Sequence, residues 1–112
     1  MLLSKETDSA ATPAPTTPMV LEGIVRQKCL SVTYNRTAMI LAPHILYTRH
    51  DALHVDGVVV LKEGLPPREE KIGTFKLDGL TGMSVTDRDF VKSELFDPTL
   101  DKYQGETLMA VA

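Results

Sequence analysis

Apolar and polar residues alternate most regularly between Leu30 and Leu61. That pattern predicts three consecutive strands joined by polar turns: Leu30–Tyr34, Met39–Tyr47 and Ala52–Leu61. In the first, Leu30, Val32 and Tyr34 share the inward parity. In the second, Met39, Leu41, Ile45 and Tyr47 share one parity, and Pro43, which cannot donate to a ladder, marks an edge or a bulge. In the third, Leu53 and Val55 point inward, His54 and Asp56 outward. Asp56-Gly57 reads as a tight turn or as a bend within one strand, and the bend is preferred. After the charged loop Lys62–Lys71, Gly73–Leu77 reads as a fourth strand with Phe75 and Leu77 inward. Asp78-Gly79 is then a corner, Leu80–Val85 a fifth strand and Thr86–Asp89 a turn.

The pattern changes at both ends. Val20, Leu21, Ile24 and Val25 form one apolar stripe of a helix over Pro18–Lys28, with Thr17 at the cap and Pro18 at the first position. Gly23 inside it costs about 1 kcal/mol relative to alanine, so this helix depends on packing. Residues 1–18 are rich in Ser, Thr, Ala and Pro and read as a disordered tail, which leaves 19–112 as one domain. Asp97-Pro98 begins a short C-terminal helix that ends near Gln104, and Thr107–Ala112 is a last strand or a frayed end. Five short strands behind one helix predict a mainly β fold, a small SH3-like or Sm-like five-stranded barrel with the N-terminal helix over one open end.

Composition adds little to this picture until charge is mapped. The 112 residues allow one modest core, and the net charge of −3 gives the whole molecule no pull on nucleic acid or anionic lipid. Between Arg26 and His54, however, Arg26, Lys28, Arg36 and Arg49 face the single acid Asp51. A local basic face on an acidic body is the expectation. Cys29 is the only cysteine, so no internal disulfide forms, and it reads as a buried structural residue. No apolar run approaches the ~20 residues of a membrane span, and MLLSK is too short for a signal peptide. The expectation is a cytoplasmic protein with no membrane contact.

No catalytic or metal motif stands out, and no cofactor is expected. His44, His50 and His54 read as surface histidines flanking a turn rather than as a zinc set. Asp87, Asp89 and Glu94 read as solvated charge. The binding candidates are Tyr34, which offers a ring, and Arg36, His54 and Lys76, which offer charge, with Arg26 and Arg49 as further cations.

The order of these residues resembles that of WYL domains. The helix and first strand span Leu21–Tyr34, the proline-centred strand is Leu41-Ala42-Pro43-His44-Ile45-Leu46-Tyr47, and the fourth-strand motif is Phe75-Lys76-Leu77-Asp78-Gly79-Leu80. Leu53-His54-Val55 stands at the family's Trp-Tyr-Leu triplet, and Met39 and Gly79 stand where the family has arginines. The resemblance implies a ligand- or nucleic-acid-binding regulatory module, sensing an anionic small molecule or a short single strand through Tyr34, Arg36, His54 and Lys76. A chain of this length leaves no room for the helix-turn-helix of WYL regulators, so a stand-alone domain is expected. The alternative is a protein-interaction or homo-oligomerisation module, using sheet edges and the apolar stretch Leu108–Val111.

Overall fold

A computed structural model describes residues 16–112, which form one helix and six strands in a single antiparallel sheet. Residues 1–15, most of the expected tail, lie outside the described part. The helix α1 spans Thr16–Arg26, two residues earlier than expected, which puts Pro18 inside the first turn. Val20 and Ile24 are buried, whereas Val25, expected in the same stripe, is exposed. Gly23 is buried because the helix crosses the sheet closely there. A Cβ on it would meet Leu30 Cδ2 and the Lys28 carbonyl at 3.0 Å and Pro43 Cγ at 3.1 Å.

The strands are β1 (Lys28–Tyr34), β2 (Thr37–Arg49), β3 (Ala52–Lys62), β4 (Ile72–Lys76), β5 (Leu80–Asp89) and β6 (Glu106–Ala110). Their order is β4-β3-β2-β1-β5. β2 is shared on one side: its first residues pair with β1 and its last with β6. A 3-10 turn, Leu77–Gly79, joins β4 to β5. Tyr34 of β1 and Phe75 of β4 meet edge to face with ring centroids 5.1 Å apart. Flat strands three places apart would be separated by about 14 Å, so the sheet is strongly curled. Leu30, Leu41, Leu46, Val55 and Phe75 belong to the core that the sheet and α1 enclose.

Several expectations change on contact with this fold. β3 runs unbroken through Asp56-Gly57, as a bent strand. Pro43 lies on a central strand, and a bulge between Pro43 and Ile45 absorbs it. That bulge switches faces: Leu41 and Leu46 lie on the α1 side of the sheet and Ile45 and Tyr47 on the outer side, all four buried. The single parity read for Met39, Leu41, Ile45 and Tyr47 is thereby corrected. β5 continues to Asp89 where a turn was expected, because β1 starts at Lys28 and pairs with it, supported by a Lys28–Asp89 ion pair at 2.5 Å. The expected C-terminal helix is replaced by an Asx turn, Asp97 Oδ1 accepting from the Thr99 N–H at 2.9 Å, and a 3-10 turn at Asp101–Tyr103. A stretch this short cannot offset helix nucleation. In place of the five strands expected there is a sixth, β6 over Glu106–Ala110, and Val111 just beyond it is buried. Among the described residues no helix is long and apolar enough to cross a membrane.

Candidate functional site

The outer faces of β2, β3 and β4 are where chemistry collects. Ladder register sets Tyr47 opposite His54 and His54 opposite Lys76; one step along, Ile45 opposes Asp56 and Asp56 opposes Thr74. Alternation therefore puts Tyr47, His54, Asp56, Thr74 and Lys76 on one face, with Arg49 two residues beyond Tyr47 on the same face. Residues 90–105 then cross over part of it. Asp56, read as outward from the pattern, keeps the expected parity but is fully buried, because that crossing segment covers it.

A buried carboxylate is costly unless donors surround it. Asp56 Oδ1 accepts from the Tyr47 hydroxyl at 2.7 Å, and Oδ2 accepts from the Tyr103 hydroxyl at 2.6 Å. Lys102 Nζ lies 2.8 Å from the same Oδ2 and donates to Thr74 Oγ1 at 3.0 Å. The two tyrosine rings meet edge to face at 5.0 Å. Burial, and next the Asp56 carboxylate, push both phenols well above the usual tyrosine range. This cluster ties β2, β3, β4 and the 3-10 turn of residues 101–103 together.

Beside it lies an open, cationic strip. The His54 ring stacks on Tyr47 at 5.7 Å and its Nδ1–H donates to the Ala52 carbonyl at 3.0 Å. Lys76 is exposed directly across the ladder, and Lys102 is partly exposed at the edge of the covered region. A depression of about 180 Å³ next to it is lined by Ile72, Phe96, Leu100, Lys102 and Tyr103. That is below the volume of an ordinary small-molecule pocket, so this face suits a ligand lying on the surface.

The four expected binding residues fall into two pairs. His54 and Lys76 are neighbours. Tyr34 sits on the other face of β4, against Phe75 and over Gly79, where a Cβ would come within 3.2 Å of its ring. Arg36 is exposed in the β1–β2 turn. Among the described residues neither hydrogen bond nor ion pair links Arg36 to His54 or Lys76. The turn of residues 77–79 is the bridge between the pairs.

Of the three histidines only His44 departs from the surface reading. His44 is fully buried and His50 occupies the β2–β3 turn. His54 faces Tyr47 rather than His44, and no group of three metal-ligating side chains occurs among the described residues. Cys29 is buried, and burial raises its thiol above the ordinary range. The sequence pattern places Tyr47 and Asp56 on their strands but gives neither them nor Lys102 and Tyr103 a joint role. The one signal was an aspartate on an otherwise apolar strand, and its partners lie up to 47 positions away. Comparison of the chain with protein-family models, curated proteins and solved structures gives no match.

Proposed function

We propose that this chain is a WYL-like domain on a small SH3-like or Sm-like barrel, and that it binds an anionic small molecule or a short single strand on its cationic strip. The strand order β4-β3-β2-β1-β5, the 3-10 turn between β4 and β5 and the curl across Tyr34–Phe75 support the barrel reading. The observation that carries the binding reading is the direct pairing of His54 with Lys76, beside the Tyr47 ring and on the face that also holds Arg49. Each charge-assisted contact contributes on the order of 1.5–3 kcal/mol. A small anion engages His54 and Lys76. A single strand long enough to pass over residues 77–79 also reaches Tyr34 and Arg36.

Fluorescence anisotropy of a labelled oligonucleotide, with inorganic phosphate as competitor, tests this. Lys76→Ala is expected to weaken binding about tenfold and to lower the salt slope by about 0.7 per lost phosphate contact. Unchanged curves for Lys76→Ala and His54→Ala together would remove the strip from the site.

A second reading, a protein-interaction module, draws on Val91 at 87% exposure and Leu95 at 55%, both on the crossing segment. Light scattering separates the two: a stable oligomer indifferent to anions favours the second.

A further inference from the structure

One histidine holds both ends of the segment that follows β5. His44 is the extra residue of the β2 bulge. Its Nδ1–H donates to the Ala42 carbonyl at 2.9 Å, so Nε2 carries no proton and accepts the Ser93 N–H at 2.9 Å. Its own carbonyl accepts the Val111 N–H at 2.7 Å. The ring lies between Phe90 and Phe96, with centroids at 5.1 and 5.4 Å. Phe96 in turn packs on Tyr103 at 5.9 Å.

We propose that His44 is a proton-operated latch: protonation of Nε2 expels the Ser93 amide and releases the stretch around Ser93 from the outer face of the sheet, between the Phe90–Gln27 hydrogen bonds on one side and the Tyr103 and Lys102 bonds to Asp56 on the other. A backbone N–H cannot reverse its polarity. With Nε2 protonated, two donors point at each other in a buried place, and the cost of an unmade buried hydrogen bond is added to that of a buried charge. The charged groups around the ring divide. Glu70, from the loop between β3 and β4, bonds the Ser93 hydroxyl and favours protonation. Lys92, on the segment itself, opposes it. Asp56 of β3 is already engaged by two tyrosines and Lys102. Burial outweighs these and holds the imidazole below the ordinary histidine range, which keeps the latch shut at neutral pH. Release uncovers Phe96 and the His44 ring together with the sheet face beneath them, an apolar surface available for contact only in acid.

Amide hydrogen exchange followed by NMR, normalised to intrinsic rates, tests the latch between about pH 7.5 and about pH 5. The opening equilibrium at Ser93 is expected to rise by up to about tenfold per pH unit below about pH 6.5, the response to one proton, while β1 and β5 amides hold. In His44→Gln, whose side-chain oxygen can accept the Ser93 N–H without titrating, that rise is expected to vanish. The wild-type titration decides the matter if the variant folds poorly. A flat Ser93 profile overturns the proposal, and so does a parallel rise at β1 and β5, which would mean global unfolding.

Discussion

Both two-residue hairpin turns are closed without glycine. Asn35 and Arg36 have φ of 49° and 62°, His50 and Asp51 of 53° and 62°. Such turns need left-handed residues because only they match the strand twist, and glycine is the usual answer at the second position. Arg36 in this conformation costs about 1–2 kcal/mol, of which about 0.5–1 kcal/mol would be offset by the greater chain entropy of a glycine. Arg36→Gly is therefore expected to stabilise the fold by roughly 0.5 kcal/mol, raising Tm by ~2–4 °C in a thermal melt. If Arg36 meets a bound strand, the same variant loses affinity while gaining stability, which separates a binding residue from a turn residue. Gly57 is the opposite case. It opposes Pro43, and a Cβ there would sit 2.2 Å from the Ala42 carbonyl oxygen, a backbone atom with no freedom to withdraw. Gly57→Ala is expected to destabilise by on the order of 3–5 kcal/mol in urea titration, and a loss under about 1 kcal/mol would mean the two strands part easily.

At the scale of elements, the outer side of the sheet depends on a fastening rather than on a strand. Residues 90–105 contain only one 3-10 turn of regular structure, yet they cover Asp56 and His44. Their grip comes from the Phe90 bonds to Gln27 at the start, the Ser93 bond to His44, and the Tyr103 and Lys102 bonds to Asp56 at the end. Tyr103→Phe removes one hydrogen bond to a buried carboxylate and is expected to lose about 1.5–3 kcal/mol by denaturant unfolding; Tyr47→Phe should lose a similar amount. The double variant is expected to depart from the sum by more than about 0.5 kcal/mol, since both hydroxyls serve one acceptor. Strict additivity would show that the two bonds act independently.

For the whole molecule, the shifted groups predict a stability profile with two edges. His44 binds its proton more weakly when folded, so stability is complete above the free histidine value near pH 6.5 and falls as the pH drops below it. Tyr47 and Tyr103 hold their protons more tightly when folded, so stability is complete below the free tyrosine value near pH 10 and falls as the pH rises past it. The Cys29 thiol, also held above its ordinary range by burial, begins the alkaline fall earlier, from its free value of 9.0, so urea midpoints measured across the pH range should show a plateau from about pH 6.5 to about pH 9. Tyr103→Phe should soften the alkaline edge and His44→Gln the acid one.

Five of the six strands and their approximate positions were legible because a strand buries alternate residues and its neighbours repeat the pattern, whereas the sixth, Glu106–Ala110, was left open between a strand and a frayed end. Leu30-Ser31-Val32 and Leu53-His54-Val55 announce themselves in this way. The face each residue takes was not always legible. The bulge at His44 inverts the parity of Ile45 and Tyr47, and a bulge depends on how Pro43 meets Gly57 across the ladder rather than on local sequence. The His54–Lys76 pairing could be anticipated from strand adjacency. The separation of Tyr34 from Lys76 could not, since it depends on curl. Local alternation by itself determined that the described residues are mostly strand behind an N-terminal helix, because period and turn chemistry act over a few residues. Tertiary packing alone decided that Asp56 and His44 are buried, because the residues that cover them come from a segment with no periodicity of its own, brought there by long-range hydrogen bonds.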